Sequence, residues 1–291
     1  LISEDNQKNI IYASQLSEIV SSTNLKNIIM TFEGHSWEKI FFASSRISNP
    51  KIKCFGYQHT LIFKNDYYFK RPFNKFYDPE VIFCSGIKTS LIFSNIFKNK
   101  INIINVGTPK NSNKLKTLKV NYKNKKAILF LPSGDESEAN LMTRFAYEFA
   151  KSNPQKHIII RYHPLINKEF SKNYKNSLTN LEISESNIIN DCKSSKWAIY
   201  LSSTSIFEAI QNGCYPIKFE YKISNLSNDP LWQIKSPLIL KCKSHFDLYR
   251  IIRNPNYKKK NQIKLFNSLL NDLKLIRGKF NQRRIFNALN L

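Results

Sequence analysis

Glycine is scarce, with 7 in 291 residues. None falls in a G-x-G-x-x-G pattern or a G-x-x-x-x-G-K-[ST] loop. That excludes the glycine-built dinucleotide and P-loop nucleotide sites. Cysteine is scarce too: Cys54, Cys84, Cys192, Cys214 and Cys242 include no C-x-x-C pair. This spacing argues against a zinc site, and three of them lie in apolar strand-like runs, as buried thiols in a reducing cytosol would. The chain has no apolar run approaching about 20 residues, so no segment reads as a membrane-spanning helix, and its start carries no signal-peptide pattern. It also lacks a D-x-D pair placed for a metal, since Asp135 and Glu136 are adjacent. The expectation is a site with no metal and no other cofactor.

Acidic residues are few: 21 against 45 Lys and Arg, a formal charge of +24. Such an excess favours an anionic partner, whether nucleic acid, an acidic membrane surface or an anionic substrate. The same chain is rich in Lys, Asn and Ile, as AT-rich genomes impose, so charge alone does not choose among them. What the chain does have is core material, 42% hydrophobic and 13% aromatic, over a length that suits two α/β domains.

Apolar runs alternate with helical periodicity along most of it. Asn27 to Phe32 reads as a strand ending in Glu33-Gly34-His35, and a helix follows from Ser36 to Ser45. Lys51 to Tyr57 is a second strand, ending in Gln58-His59-Thr60, and Val81 to Cys84 a third, ending in Ser85-Gly86. A helix over Lys88 to Phe97 and a strand over Ile101 to Val106 complete a parallel, doubly wound half. Between these, Phe63 to Tyr77 is basic and aromatic, which suits a solvated loop or contact with an anionic membrane or glycan.

The pattern restarts after a polar, Lys-rich stretch. Residues 1–112 read as an N-terminal Rossmann-like domain and 113–125 as a linker. Residues 126–262 read as a C-terminal Rossmann-like domain and 263–291 as a basic helix broken near Gly278. In the second half, Ala127 to Leu131 ends in Pro132-Ser133-Gly134, and His157 to Tyr162 ends in His163-Pro164. Trp197 to Leu201 ends in the row Ser202-Ser203-Thr204-Ser205, where four hydroxyls before Ile206-Phe207 read as helix N-cap chemistry. Gly213 stops that helix. Ligands of such sheets bind outside the carboxyl ends of the strands, so the strand-end residues are the candidates.

At those ends Glu33 suits a general base, with His59 on the neighbouring strand end orienting it or acting as acid or base. Glu33 as a helix-cap acid is the plain alternative, and Glu38 is either a second acid or a solvated helix residue. His163, the open helix N-terminus and the hydroxyls of Ser202, Ser203 and Thr204 suit a phosphate. Ser133-Gly134 permits close backbone approach to a nucleotide, and Glu208 is placed to accept from sugar hydroxyls.

The run S-S-T-S-x-x-E-A-x-x-x-G-x-x-P, from Ser202 to Pro216, resembles the donor-binding segment of GT-B glycosyltransferases. There the hydroxyl turn holds phosphate and the Glu holds ribose. His163-Pro164 resembles the HP motif of bacterial sialyltransferases and related CMP-sugar enzymes, the serine-rich turn their second phosphate motif, and Glu33-Gly34 their acidic-Gly motif. The three come in the family's order. The blocks T-F-E-G-H-S-W-E-K and G-Y-Q-H look like surface-polysaccharide transferases of Gram-negative bacteria. Phe32 stands where the sialyltransferases often have a second acid. The resemblance spans roughly residues 27–220. It implies an α/β, GT-B-like fold of two Rossmann-like doubly wound parallel-sheet domains facing a central cleft. It implies transfer of a sialic-acid-like or Kdo-like sugar from a CMP donor to a capsule or lipopolysaccharide acceptor. The cysteines suit a cytoplasmic enzyme, and the basic stretch 63–77 with the basic C-terminal helix suits peripheral contact at the inner face of an anionic membrane. A UDP- or GDP-sugar transferase and a polyol-phosphate transferase are the alternatives on the same architecture. A basic nucleic-acid-binding protein is the alternative of another class, and the sequence has no RNP-like or helix-turn-helix pattern to support it.

Overall fold

The run AILFL at 127–131 is buried at every position, and Ser195–Tyr200 nearly so. Continuous burial of this kind belongs to central parallel strands covered on both faces. The computed structural model describes residues 3–66, 73–98, 100–109, 125–167, 174–175, 177–221, 228–254 and 261–290. The expected linker lies outside these residues except for Lys125, as do residues 67–72 of the basic aromatic stretch.

The chain divides into two units, one of Leu1–Ile62, Asp66–Asn113 and Lys274–Leu291, the other of Phe63–Asn65 and Lys114–Leu273. The first holds α1 (Glu4–Ser22), β1 (Asn27–Thr31), α2 (Ser36–Ser48), β2 (Lys53–Gln58), β3 (Val81–Cys84), α3 (Ile87–Phe97) and β4 (Asn102–Asn105). Its sheet runs β1-β2-β3-β4, all parallel. Alternate residues go to opposite faces. Cys54, Ile82 and Cys84 pack with Phe32, Phe42, Phe93 and Phe97, while Phe55, Phe83 and Val106 meet Leu289, Ile285 and Ala288. The last three belong to α9 (Gln282–Leu289), so the end of the chain covers the second face of the first sheet.

The segment before α9 also occupies part of that sheet's carboxyl edge. Gly278 donates to the Ser85 carbonyl at 2.7 Å, and Thr108 donates to the Gly278 carbonyl at 3.1 Å. Asn281 donates to the Val106 carbonyl at 2.8 Å. A Cβ on Gly86 would lie 2.1 Å from the Ile276 carbonyl oxygen, and one on Gly107 2.1 Å from that of Lys279. These glycines therefore admit the protein's own backbone at the ends of β3 and β4. The ends of β1 and β2 carry Glu33 and His59.

The second unit holds β5 (Ala127–Leu131), α4 (Glu136–Ser152), β6 (Ile158–Ile160), β7 (Leu181–Ile183), α5 (Ile188–Ser194), β8 (Ser195–Tyr200), α6 (Ile206–Gln211), β9 (Tyr215–Phe219), β10 (Leu240–Cys242) and α7 (His245–Arg253). The helix α8 (Asn261–Ile276) follows. Its sheet has the order β10-β9-β8-β5-β6-β7, with all pairs parallel. Counted from β5, that is the 3-2-1-4-5-6 arrangement whose strand order reverses between the first and fourth strands. Here the reversal lies between β5 and β8, so the turns 132–135 and 201–205 flank it. All five cysteines are buried and free. No helix among the described residues is long and apolar enough to cross a membrane.

Candidate functional site

In the first unit, β1 delivers Glu33 and β2 delivers His59 to adjacent strand ends. The Glu33 carboxylate is flanked on both oxygens. His35 Nε2 lies 3.3 Å from Oε2 and His59 Nε2 lies 3.6 Å from Oε1. All three side chains remain partly exposed, between 29% and 39%. His35 stacks on Trp37, and His59 stacks on Tyr57. His59 Nδ1 is buried with no hydrogen-bond partner.

Beneath this group lies Glu38, fully buried. Its Oε1 accepts the Glu33 N–H at 2.7 Å, and its Oε2 accepts those of Gly34 at 2.7 Å and His35 at 2.9 Å. Gly34 has φ +84°, a turn that glycine adopts freely. Burial pushes the Glu38 carboxyl up to about 7, while the three N–H groups and the nearby His35 pull it down. Glu38 is thus not a solvated helix residue. Nor is Glu33 the cap of α2: the N-cap is His35, and Glu38 holds the turn's amides.

In the second unit, Asp135 caps α4 by accepting from the Glu138 N–H at 2.8 Å. Glu138 folds back, and its Oε1 accepts from Ser133 N at 3.0 Å and Ser202 N at 3.3 Å. Its Oε2 accepts the Ser202 hydroxyl. The hydroxyl row therefore does not cap α6. Its N-cap, Ser205, makes no side-chain cap bond, and the Ser202 hydroxyl points to a carboxylate instead. The bond of a hydroxyl to a carboxylate is charge-assisted, which favours this orientation of Ser202.

His163 follows β6 and stands against the turn at Gly134, where an added Cβ would come within 3.1 Å of its Nδ1. That Nδ1 accepts the Leu165 N–H at 3.2 Å. The acceptor role leaves Nε2 to carry the ring proton, and Nε2 has no partner among the described residues. Pro164 and Thr204 are exposed, Ser203 is buried, and Glu208 is half-buried in the first turn of α6. Gly213, at φ +84°, ends that helix as expected. The second unit thus brings Ser133, Gly134, His163 and Ser202 to the reversal point of its sheet. Sequence reading missed Glu138 altogether. The one signal was a repeated turn: E-G-H-S-W-E at 33–38 and S-G-D-E-S-E at 133–138 place Gly and Glu alike.

No family model matches the sequence, and no curated protein does. Solved structures do match. The pneumococcal O-GlcNAc transferase GtfA, in complex with UDP and GlcNAc, is similar at TM-score 0.53 and 11% identity, over 88% of this chain and 55% of that one. A point mutant of S. aureus TarM, in complex with fondaparinux, α-GlcNAc-glycerol and UDP, is similar at TM-score 0.54 and 12% identity, over 96% and 58%. Arabidopsis thaliana UGT89C1, complexed with UDP, is similar at TM-score 0.56 and 10% identity, over 98% and 77%. The chain spans a little over half the length of the first two. The likeness shows the fold: an α/β chain of the GT-B kind with two parallel-sheet units.

Proposed function

We propose that this chain is a glycosyltransferase that moves a sugar from a nucleotide-sugar donor to a hydroxyl of a glycan acceptor. One observation carries the reading. Ser133-Gly134, His163 and Ser202 meet where the second sheet reverses its strand order, the place where such sheets bind nucleotides. There His163 Nε2–H and the Thr204 hydroxyl meet the donor phosphate, and Glu208 receives the ribose. In the first unit Glu33 takes the proton of the acceptor hydroxyl as its oxygen bonds to the anomeric carbon. The bond from that carbon to the phosphate oxygen breaks, and the leaving phosphate keeps the electron pair, stabilised by the same donors. His59 and His35, one at each oxygen, orient the carboxylate.

Two donor classes fit. The order acidic-Gly, HP, serine-rich turn favours a CMP-sugar. The UDP in the pneumococcal, S. aureus and Arabidopsis structures favours a UDP-sugar. Thermal shift with CMP, UDP and GDP separates them, because a ligand of the native state raises the melting temperature by mass action. Release of the same nucleotide from its sugar donor, dependent on a glycan acceptor, then tests transfer. No shift with any of the three, with RNA affinity persisting at moderate salt, would replace this reading with nucleic-acid binding.

A further inference from the structure

A buried carboxylate is costly unless hydrogen bonds compensate it. Glu138 is 8% exposed, and three donors meet it. They come from two different turns. Ser133 belongs to the turn after β5, and Ser202, 64 positions away from Glu138 in the chain, to the turn after β8. One side chain therefore spans the reversal point of the sheet. The first unit uses the same residue in the same place, Glu38, one hundred positions earlier. There all three amides, those of Glu33, Gly34 and His35, come from one turn. In the second unit the glutamate has recruited the neighbouring turn instead.

We propose that Glu138 is a positioning residue that fixes the spacing of the two turns on which the donor phosphate rests. The inference rests on the donor-binding reading of the second unit. Glu138 is not a ligand of the donor. Its oxygens are occupied by the turns, and a negative charge does not coordinate a phosphate. Its effect reaches the donor through Ser133 and Gly134 on one side and through Ser202 and its neighbours Ser203 and Thr204 on the other.

Three variants separate this role from a contribution to stability alone. Glu138→Gln keeps Oε1 as acceptor for both backbone amides and offers an amide to the Ser202 hydroxyl, so the bridge survives without its charge. Glu138→Ala removes the bridge. Glu138→Asp keeps the charge but is one methylene too short to reach both turns, and it carries the test if the alanine variant does not fold. The nucleotide used is whichever of CMP, UDP and GDP binds wild type best. Ala and Asp should raise its Kd and the donor KM by about tenfold or more, since the half-buried amides of the two turns lose the acceptor that holds them together. Acceptor KM should stay within about threefold, and Gln should restore donor affinity to within about threefold of wild type. Unchanged donor affinity in Ala or Asp beside a lowered melting temperature would overturn the proposal. So would equal losses in Gln and Ala, which would make the charge and not the bridge decisive. Wild type that binds none of the three nucleotides would instead remove the donor reading and this inference with it.

Discussion

Glu33 and Glu38 lie five positions apart and divide their roles by exposure. Glu33 is partly open between two imidazoles, and Glu38 is sealed beneath it on three amides. Glu33→Gln keeps the shape and removes the basicity. It should lower turnover by about 10²–10⁴-fold, the usual contribution of a general base, with nucleotide affinity nearly intact. Near-wild-type turnover in a steady-state assay would move the role to His59. Glu38 makes a separate prediction through pH. Its carboxyl rises on folding from 4.5 to about 7 through burial. The folded chain therefore binds that proton more tightly than the unfolded chain does. The stabilising contribution is full below the unfolded value and is lost as pH rises through the folded one. From this group wild type should lose on the order of 3 kcal/mol between pH 4 and pH 8. Denaturant titrations of Glu38→Gln should lack that part of the decline, and an identical decline in both proteins would exclude Glu38 as its source. The positions of the partly exposed strand-end residues Glu33, His59 and His163 were legible because an apolar run ending in a polar residue marks its own end. Glu38 and Glu138 were not, because a glutamate in a helix's first turn looks the same solvated or buried. Only the folded turn, and for Glu138 a serine 64 residues away, decides.

Among the elements, the segment between α8 and α9 shows how glycines were spent. Ser85-Gly86 and Gly107 end strands, and sequence reading places such turns at a ligand. In the folded chain they receive the backbone of residues 276–281. Gly86→Ala, whose new Cβ would fall 2.1 Å from the Ile276 carbonyl oxygen, should cost roughly 1–3 kcal/mol as an overpacked contact. Thermal melts measure it, and an unchanged midpoint would mean that the terminal segment does not pack there. The break of the C-terminal helix near Gly278 was visible from composition. Its use as a clasp was not, because Gly278 pairs with Ser85 and Thr108, far away in sequence. The short helix α6 divides the same way: Gly213 announces its end, while its N-cap Ser205 makes no hydroxyl cap and Ser202 of the same row turns to Glu138.

At the scale of the whole molecule, the two parallel sheets were legible because their strands are continuous apolar runs separated by helical periodicity. The 3-2-1-4-5-6 order of the second sheet was not, since strand order depends on pairings the chain makes only when folded. Nor did the sequence disclose that residues 274–291 return to the first unit. The charge of +24 favours an anionic ligand without naming one. The account therefore turns on whether a nucleotide binds where the second sheet reverses. Calorimetric titration of CMP, UDP and GDP into wild type and His163→Ala tests this most directly. The account predicts that one nucleotide binds and that the substitution weakens it by about 1–3 kcal/mol, the range for a hydrogen bond to a charged group. Binding of equal strength in both proteins, or no binding to wild type, would contradict it.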